Sequence, residues 1–308
     1  MTAAVLILAG LVGFGALAGA LGIFRDSEAA AEVLNRFAIT LAFPAWIVVL
    51  LLKEEQTDSV APALLSAAAV WLLWLPFAWA ASRFFRDAAH RTAAFCALIY
   101  GNSAYIGIPF CTALAGAAGS RRAVGIATLH LLLGMAVMPV LLRRASPQAS
   151  SRSVLAETLR MPIVWAPWIG IAARYLPDSI KLQAVAMLSP LGAAASPVAL
   201  VAMGLYLWRH RGAVVAPDRG VVGTTVLKTA GAGLLALAVV HYMPMELSAT
   251  DRAVVVAQSM TPVGVAVFSL CHAYGVAELF AARAVVVSTL LWLVGAMAWG
   301  LTSWAYVG

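Results

Sequence analysis

The sequence predicts an all-α polytopic membrane protein: ten transmembrane helices, arranged as two inverted five-helix repeats, with the fourth and ninth helices broken. Composition is the first observation behind this. Of 308 residues, 63% are apolar and 11% charged, and the mean hydropathy is +0.93. Soluble domains carry about a quarter charged residues, so an ordinary soluble enzyme or binding module is excluded. The second observation is a series of apolar windows, each near the ~20 residues that cross the hydrocarbon core as a helix. The third is a repeated proline spacing: 65 residues separate Pro44 from Pro109, and 65 separate Pro197 from Pro262. The two pairs are offset by 153 residues, almost half the chain.

The windows fall at 3–23, 34–52, 62–82, 93–115, 122–142, 157–176, 184–208, 221–241, 253–271 and 280–304. Met1 to Gly22 lacks the positive n-region of a secretory signal, so it reads as the first membrane helix. The polar stretch that follows the fifth window contains Pro147 and several serines, which is linker chemistry. The expected organisation is therefore a first repeat at 1–142, a cytoplasmic linker at 143–156 and a second repeat at 157–308. Ten crossings put both termini on one side. Sorting the loops then places fourteen of the twenty lysines and arginines on one face and six on the other. The richer face is expected to be cytoplasmic and both termini extracytoplasmic. Because five crossings is an odd number, the second half must insert upside down relative to the first.

The net charge of +7 comes from basic residues in short loops, so it reads as topology signalling; no nucleic-acid partner is expected. Cys96, Cys111 and Cys271 lie inside apolar windows with no metal or disulfide spacing, and they read as packing residues. No cofactor or metal is expected, and the partners called for are a bilayer and a small organic anion.

The two broken segments carry the candidate chemistry. One runs from Gly101 through Asn102, Tyr105 and Gly107 to Pro109; the other runs from Gln258 through Ser259, Thr261 and Pro262 to Gly264. Glycine and proline there weaken a helix and free backbone groups, which membrane depth tolerates only where they line a cavity or are buried in protein. Breaks at corresponding places in two halves are the signature of a secondary transporter with its site at the repeat interface. The N-terminal end of each half-helix carries partial positive charge suited to a carboxylate. Asn102, Gln258, Ser259 and Thr261 add polar groups, and the equal spacing adds Pro44 and Pro197 to the candidate substrate-binding residues. Each has a plainer reading as well: Gln258 as helix–helix glue, Pro44 and Pro197 as simple kinks.

Ionisable groups inside the windows are few. Lys228 lies near the cytoplasmic end of the eighth, where snorkelling to the headgroups accounts for it, with a proton or coupling role as the alternative. His130 sits deeper in the fifth and is the other candidate for that role. His241 and His272, at window ends, read as interfacial.

At these residues the chain resembles the auxin efflux carrier family, part of the bile/arsenite/auxin transporter superfamily. Leu41-Ala42-Phe43-Pro44-Ala45 is similar to that family's second-helix proline motif. Gly101-Asn102-Ser103-Ala104-Tyr105-Ile106-Gly107-Ile108-Pro109 resembles its Asn-x-x-x-x-Gly-x-Pro crossover. Met161-Pro162-Ile163-Val164-Trp165-Ala166, Ser196-Pro197-Val198-Ala199-Leu200, Leu227-Lys228, Met260-Thr261-Pro262 and Ser288-Thr289-Leu290-Leu291 extend the likeness over nearly the whole chain. The resemblance implies a sodium/proton antiporter-like fold in which helices 4 and 9 cross, elevator-type movement of organic anions, and residence in a bacterial inner membrane; it is compatible with a homodimer. The sequence departs from the pattern after Pro262, where Val263, Gly264, Val265 and Ala266 stand in place of polar residues, so the resemblance does not carry a particular anion across. Other readings remain open at this point. They are a sodium-coupled bile-acid-type symporter, a membrane sensor that does not transport, and an intramembrane serine protease using Gly101-Asn102-Ser103 with His130, His241 or His272 as base.

Overall fold

The computed structural model describes residues 2–53, 59–146, 160–213 and 218–305. All regular structure among them is helical; the only extended pairing is a single antiparallel bridge between Gly101 and Val263. Among the described residues, six helical stretches are long and apolar enough to cross a membrane: Ser27–Leu52, Ala61–Ser82, Ser103–Ala145, Asp178–Arg209, Arg219–Tyr242 and Glu278–Ala296. Leu6–Ala20, Pro162–Ala173 and Val265–Tyr274 are apolar but shorter. The chain is therefore a polytopic, all-α membrane protein. Its exposed apolar side chains agree: Phe14, Phe77, Leu182 and Met187 face outward, which lipid favours and water does not. The expected linker is described only as far as Ser146, and the rest of it lies outside the described residues.

Two compact units form, and each takes segments from both halves of the sequence. One unit comprises Ile7–Ser59 and Leu155–Arg209. Within it lie most of α1 (Thr2–Ala20), then α2 (Ser27–Phe37), α3 (Phe43–Leu52), α7 (Pro162–Ala173), α8 (Asp178–Ala193) and α9 (Ala195–Arg209). Asp26 starts α2 by accepting from the N–H groups of Glu28 and Ala29. Between α2 and α3 the backbone widens into a π turn, Ala38–Ala42, closed by Phe43 N–H donating to Ala38 O. The next residue is Pro44, which has no N–H and whose ring would strike a carbonyl of a regular α turn, so the wide turn accommodates it. Helices α1 and α9 meet at Gly15 and Gly204, where a Cβ on either glycine would run into the other helix's backbone. Close approach through small residues is how helices pack where lipid removes the hydrophobic drive.

The other unit comprises Met1–Leu6, Val60–Val154 and His210–Gly308. It contains α4 (Ala61–Ser82), α5 (Ala88–Ile99), α6 (Ile108–Ala145), α10 (Arg219–Val226), α11 (Ala232–Tyr242), α12 (Ala249–Ser259), α13 (Val265–Tyr274) and α14 (Glu278–Ala305). α6 is two helices in one run: Ala115 and Gly116 leave helical geometry, and Gly116 adopts φ +59. That bend falls between the windows read at 93–115 and 122–142. A π turn, Ser103–Gly107, precedes α6, and another, Leu227–Gly231, joins α10 to α11. The first repeats the geometry before Pro44: Ile108 N–H closes it on Ser103 O, and Pro109 follows. The core is aliphatic, with Leu98, Ile106, Ile108, Ile126, Met138 and Leu142 fully buried. Cys96, Cys111 and Cys271 are buried, unbridged packing residues.

A buried ion pair ties this unit together. Arg122 Nε donates to Asp251 Oδ1, and both residues are almost fully enclosed. Asp251 also closes a capping box with Ser248 at the start of α12, and Arg122 Nη1 donates to Ala118 O. The carboxylate thus serves two masters, a helix N-terminus and a guanidinium from the second part of α6.

Candidate functional site: the paired helix breaks

α5 stops at Ile99 and α12 at Ser259, because the segments that follow cannot remain helical. Pro262 has no N–H to give and pushes its predecessor out of the α region. Gly101 and Gly264 let two backbones touch: Asn102 N–H donates to Pro262 O at 2.7 Å, and Gly264 N–H donates to Tyr100 O at 3.0 Å. The two breaks satisfy each other. A Cβ at Gly101 would collide with Thr261 Oγ1, so the approach requires glycine. The Tyr100 ring lies between Gly134 and Gly264, where any side chain on either would strike it.

Both half-helices that leave the breaks begin without a side-chain cap. One starts from Asn102, the other from Gly264. Val267 N–H closes the start of the second on Gly264 O at 3.0 Å; the N–H groups ahead of it, like those opening the first, have no intrahelical acceptor, so two partially positive ends open there. Asn102 is 5% exposed, and its Nδ2 has no hydrogen-bond partner among the described residues. Gln258 is 1% exposed; its Nε2 donates to Ala123 O at 3.3 Å, its amide lies against Gly107, and its Oε1 has no partner among the described residues. Ser259 and Thr261 spend their hydroxyls inside the break, donating to Val255 O and Gln258 O. Tyr105 is buried on the π turn, and Pro109 opens α6.

The two C-terminal ends are closed differently. At the end of α5, Trp74 Nε1 donates to Leu98 O and Trp71 Nε1 to Ile99 O. At the end of α12, Lys228 Nζ donates to Ser259 O at 3.0 Å and to Thr261 O at 3.1 Å. The snorkelling expected of Lys228 is corrected here: it is 4% exposed and points into the second break. The π turn that carries it inserts an extra residue into the helical turn, and so redirects the side chain.

The family model described as membrane transport protein matches residues 1–146 and 143–299, nearly the whole chain. This chain belongs to that family, the auxin efflux carriers. It is accordingly a membrane transporter of auxin-efflux type, from a family of transporters rather than enzymes. No curated protein gives a significant match.

In this carrier, one unit holds Asn102, Tyr105, Gly107, Pro109, Gln258, Ser259, Thr261 and Pro262 at or beside the two paired breaks, with Lys228 next to them. Pro44, half-buried, and Pro197, exposed in the first turn of α9, belong to the other unit. His130 joins the first break through a 3.0 Å hydrogen bond between its Nδ1 and Ser103 Oγ. That contact supplies the serine–histidine geometry of the protease reading, but no ion pair to His130 occurs among the described residues to orient it. Fluorophosphonate probes are expected to leave Ser103 unmodified; stoichiometric labelling of Ser103 would restore a hydrolase to consideration.

Sequence reasoning missed three supports. Trp71 and Trp74 were legible only as apolar residues, yet their indole N–H groups cap a broken helix. Ser288, noted for family likeness alone, accepts from Val263 N–H at 3.0 Å and holds the second break. The Arg122–Asp251 pair links positions 129 residues apart, which no local pattern announces.

Proposed function

We propose that this carrier is a secondary active transporter, an efflux carrier of a small organic anion such as a carboxylate, an auxin-like molecule or a dicarboxylate. The observation that carries the reading is Asn102 Nδ2, a buried donor with no acceptor among the described residues. Leaving such a donor unpaired costs about 1–3 kcal/mol, a cost that a bound acceptor removes. It stands at an uncapped helix start, next to the second uncapped start and a buried ammonium. All three favour negative charge. In this proposal Asn102 donates to the carboxylate and the N-terminal amides share its charge. Gln258 Oε1 takes a hydroxyl or a protonated oxygen.

The rest of the proposal is architectural. Ten crossings form two inverted repeats, 1–142 and 157–308, joined by a cytoplasmic linker at 143–156, with both termini outside a bacterial inner membrane. Support comes from the 153-residue proline offset and from two broken helices bonded to each other. Transport is of the elevator type, the unit that contains the crossing moving as one body.

A thermal-shift series on detergent-purified protein tests the site, with anions running from malonate and malate to indole-3-acetate and bile acids. A ligand that binds the native state raises its apparent stability. At least one carboxylate is expected to do so. Asn102→Ala should weaken that binding about ten- to a hundredfold, the effect of losing a hydrogen bond to a charged group, ~1.5–3 kcal/mol. An undiminished shift in Asn102→Ala would remove the anion from the crossing.

A further inference from the structure

The two C-terminal ends at the breaks pose the same problem and receive different answers. Each leaves carbonyl oxygens without intrahelical donors and the negative end of a half-helix. At α5, two neutral indoles on α4, the preceding helix, satisfy the carbonyls. At α12, an ammonium from the π turn of the helix preceding it does so. Lys228 lies 154 positions after Trp74, within one residue of the proline offset of 153, so the two cappers occupy corresponding places in the halves. Neutral donors suffice at one end, so hydrogen bonding alone does not call for a charge at the other.

The charge is also uncompensated by any carboxylate: no ion pair to Lys228 occurs among the described residues. A buried ammonium in that situation is costly unless dipoles or a counter-ion offset it. Its hydrogen-bond partners are backbone carbonyls, the oxygens that a monovalent cation also takes. Two backbone carbonyls of an unwound half-helix hold it, and a Cβ at Gly101 would lie 3.2 Å from Nζ and against Thr261 Oγ1. Carbonyls at broken-helix C-terminal ends are where secondary transporters coordinate coupling cations.

We propose that Lys228 is a tethered counter-cation: its ammonium occupies the carbonyl-lined position that sodium or potassium would otherwise take. The carrier therefore needs neither ion to assemble its crossing. Removing the ammonium uncovers a monovalent-cation site made of Ser259 O and Thr261 O. The idea deepens the anion-carrier reading by supplying the fixed positive charge that faces the anion. Its test uses no organic anion, so the two stand or fall separately.

The experiment compares apparent melting temperature in sodium, potassium and choline chloride at equal ionic strength. Wild type and Lys228→Arg are expected to melt at one temperature in all three salts. Lys228→Met is expected to melt several degrees lower in choline and to recover, saturably, as sodium or potassium replaces it. If Lys228→Met is recovered folded only when purified in sodium or potassium, that too supports the tether. A Lys228→Met protein that is destabilised equally in every salt overturns the proposal. So does a saturable sodium or potassium response in wild type. Failure of Lys228→Met to fold in any salt, together with a folded Lys228→Gln that ignores both ions, overturns it as well.

Discussion

Arg122→Ala is expected to destabilise the protein by about 3–5 kcal/mol, the cost of leaving one member of a buried ion pair without its partner. Asp251 would keep its bonds to Ser248 but lose the guanidinium, in a setting where both residues are almost wholly enclosed. Asp251→Ala should cost as much or more, because it removes the capping box of α12 as well as the pair. A well-packed apolar replacement of both residues, Arg122→Met with Asp251→Leu, is expected to recover a large part of the Arg122→Ala loss, with the missing cap as the remainder. Thermal or denaturant melts in detergent read all four proteins. If Arg122→Ala melted with wild type, the ion pair would contribute nothing to stability, and α12 would be held by its capping box and its other contacts.

Gly101→Val should abolish anion binding. The glycine faces Thr261 Oγ1 and Lys228 Nζ, and its neighbour Asn102 makes the 2.7 Å backbone bond to Pro262 O. Thr261 is fully buried and donates to Gln258 O, so it cannot swing aside without opening the second break. Overpacking at such a point costs about 1–3 kcal/mol. The larger effect is geometric. Prising Gly101 from Val263 separates the two helix starts that the anion is proposed to bridge, and the thermal shift should vanish even where the variant remains folded. Retention of the shift in Gly101→Val would mean that the anion binds elsewhere.

The breaks were readable because their cause is local. Glycine and proline cluster together at both breaks, whereas lone prolines such as Pro76 and Pro139 stay inside helices, and the 65-residue spacing appears without any structure. The place of Asn102 at the first break was readable for the same reason, since it follows Gly101 directly; its contact with a substrate is part of the proposal. What escaped the sequence depends on direction or distance. Lys228 sits where helical phase and depth suggest the headgroups, but the π turn over Leu227–Gly231 changes the phase and buries it. Trp71 and Trp74 are large and apolar, and nothing in their spacing says that their N–H groups will find carbonyls 28 and 24 residues away, respectively. Pro44 and Pro197 share the spacing of Pro109 and Pro262 yet fold into the other unit, because equal spacing along the chain does not fix a common destination.

Flux in proteoliposomes tests the central claim most directly. Purified carrier would be reconstituted and loaded with the carboxylate giving the largest thermal shift, and its exchange against labelled external anion followed in wild type and Asn102→Ala. The account predicts saturable exchange by wild type that Asn102→Ala lowers at least tenfold at sub-saturating anion. Equal flux through both proteins, or binding by wild type with no flux at all, would contradict it.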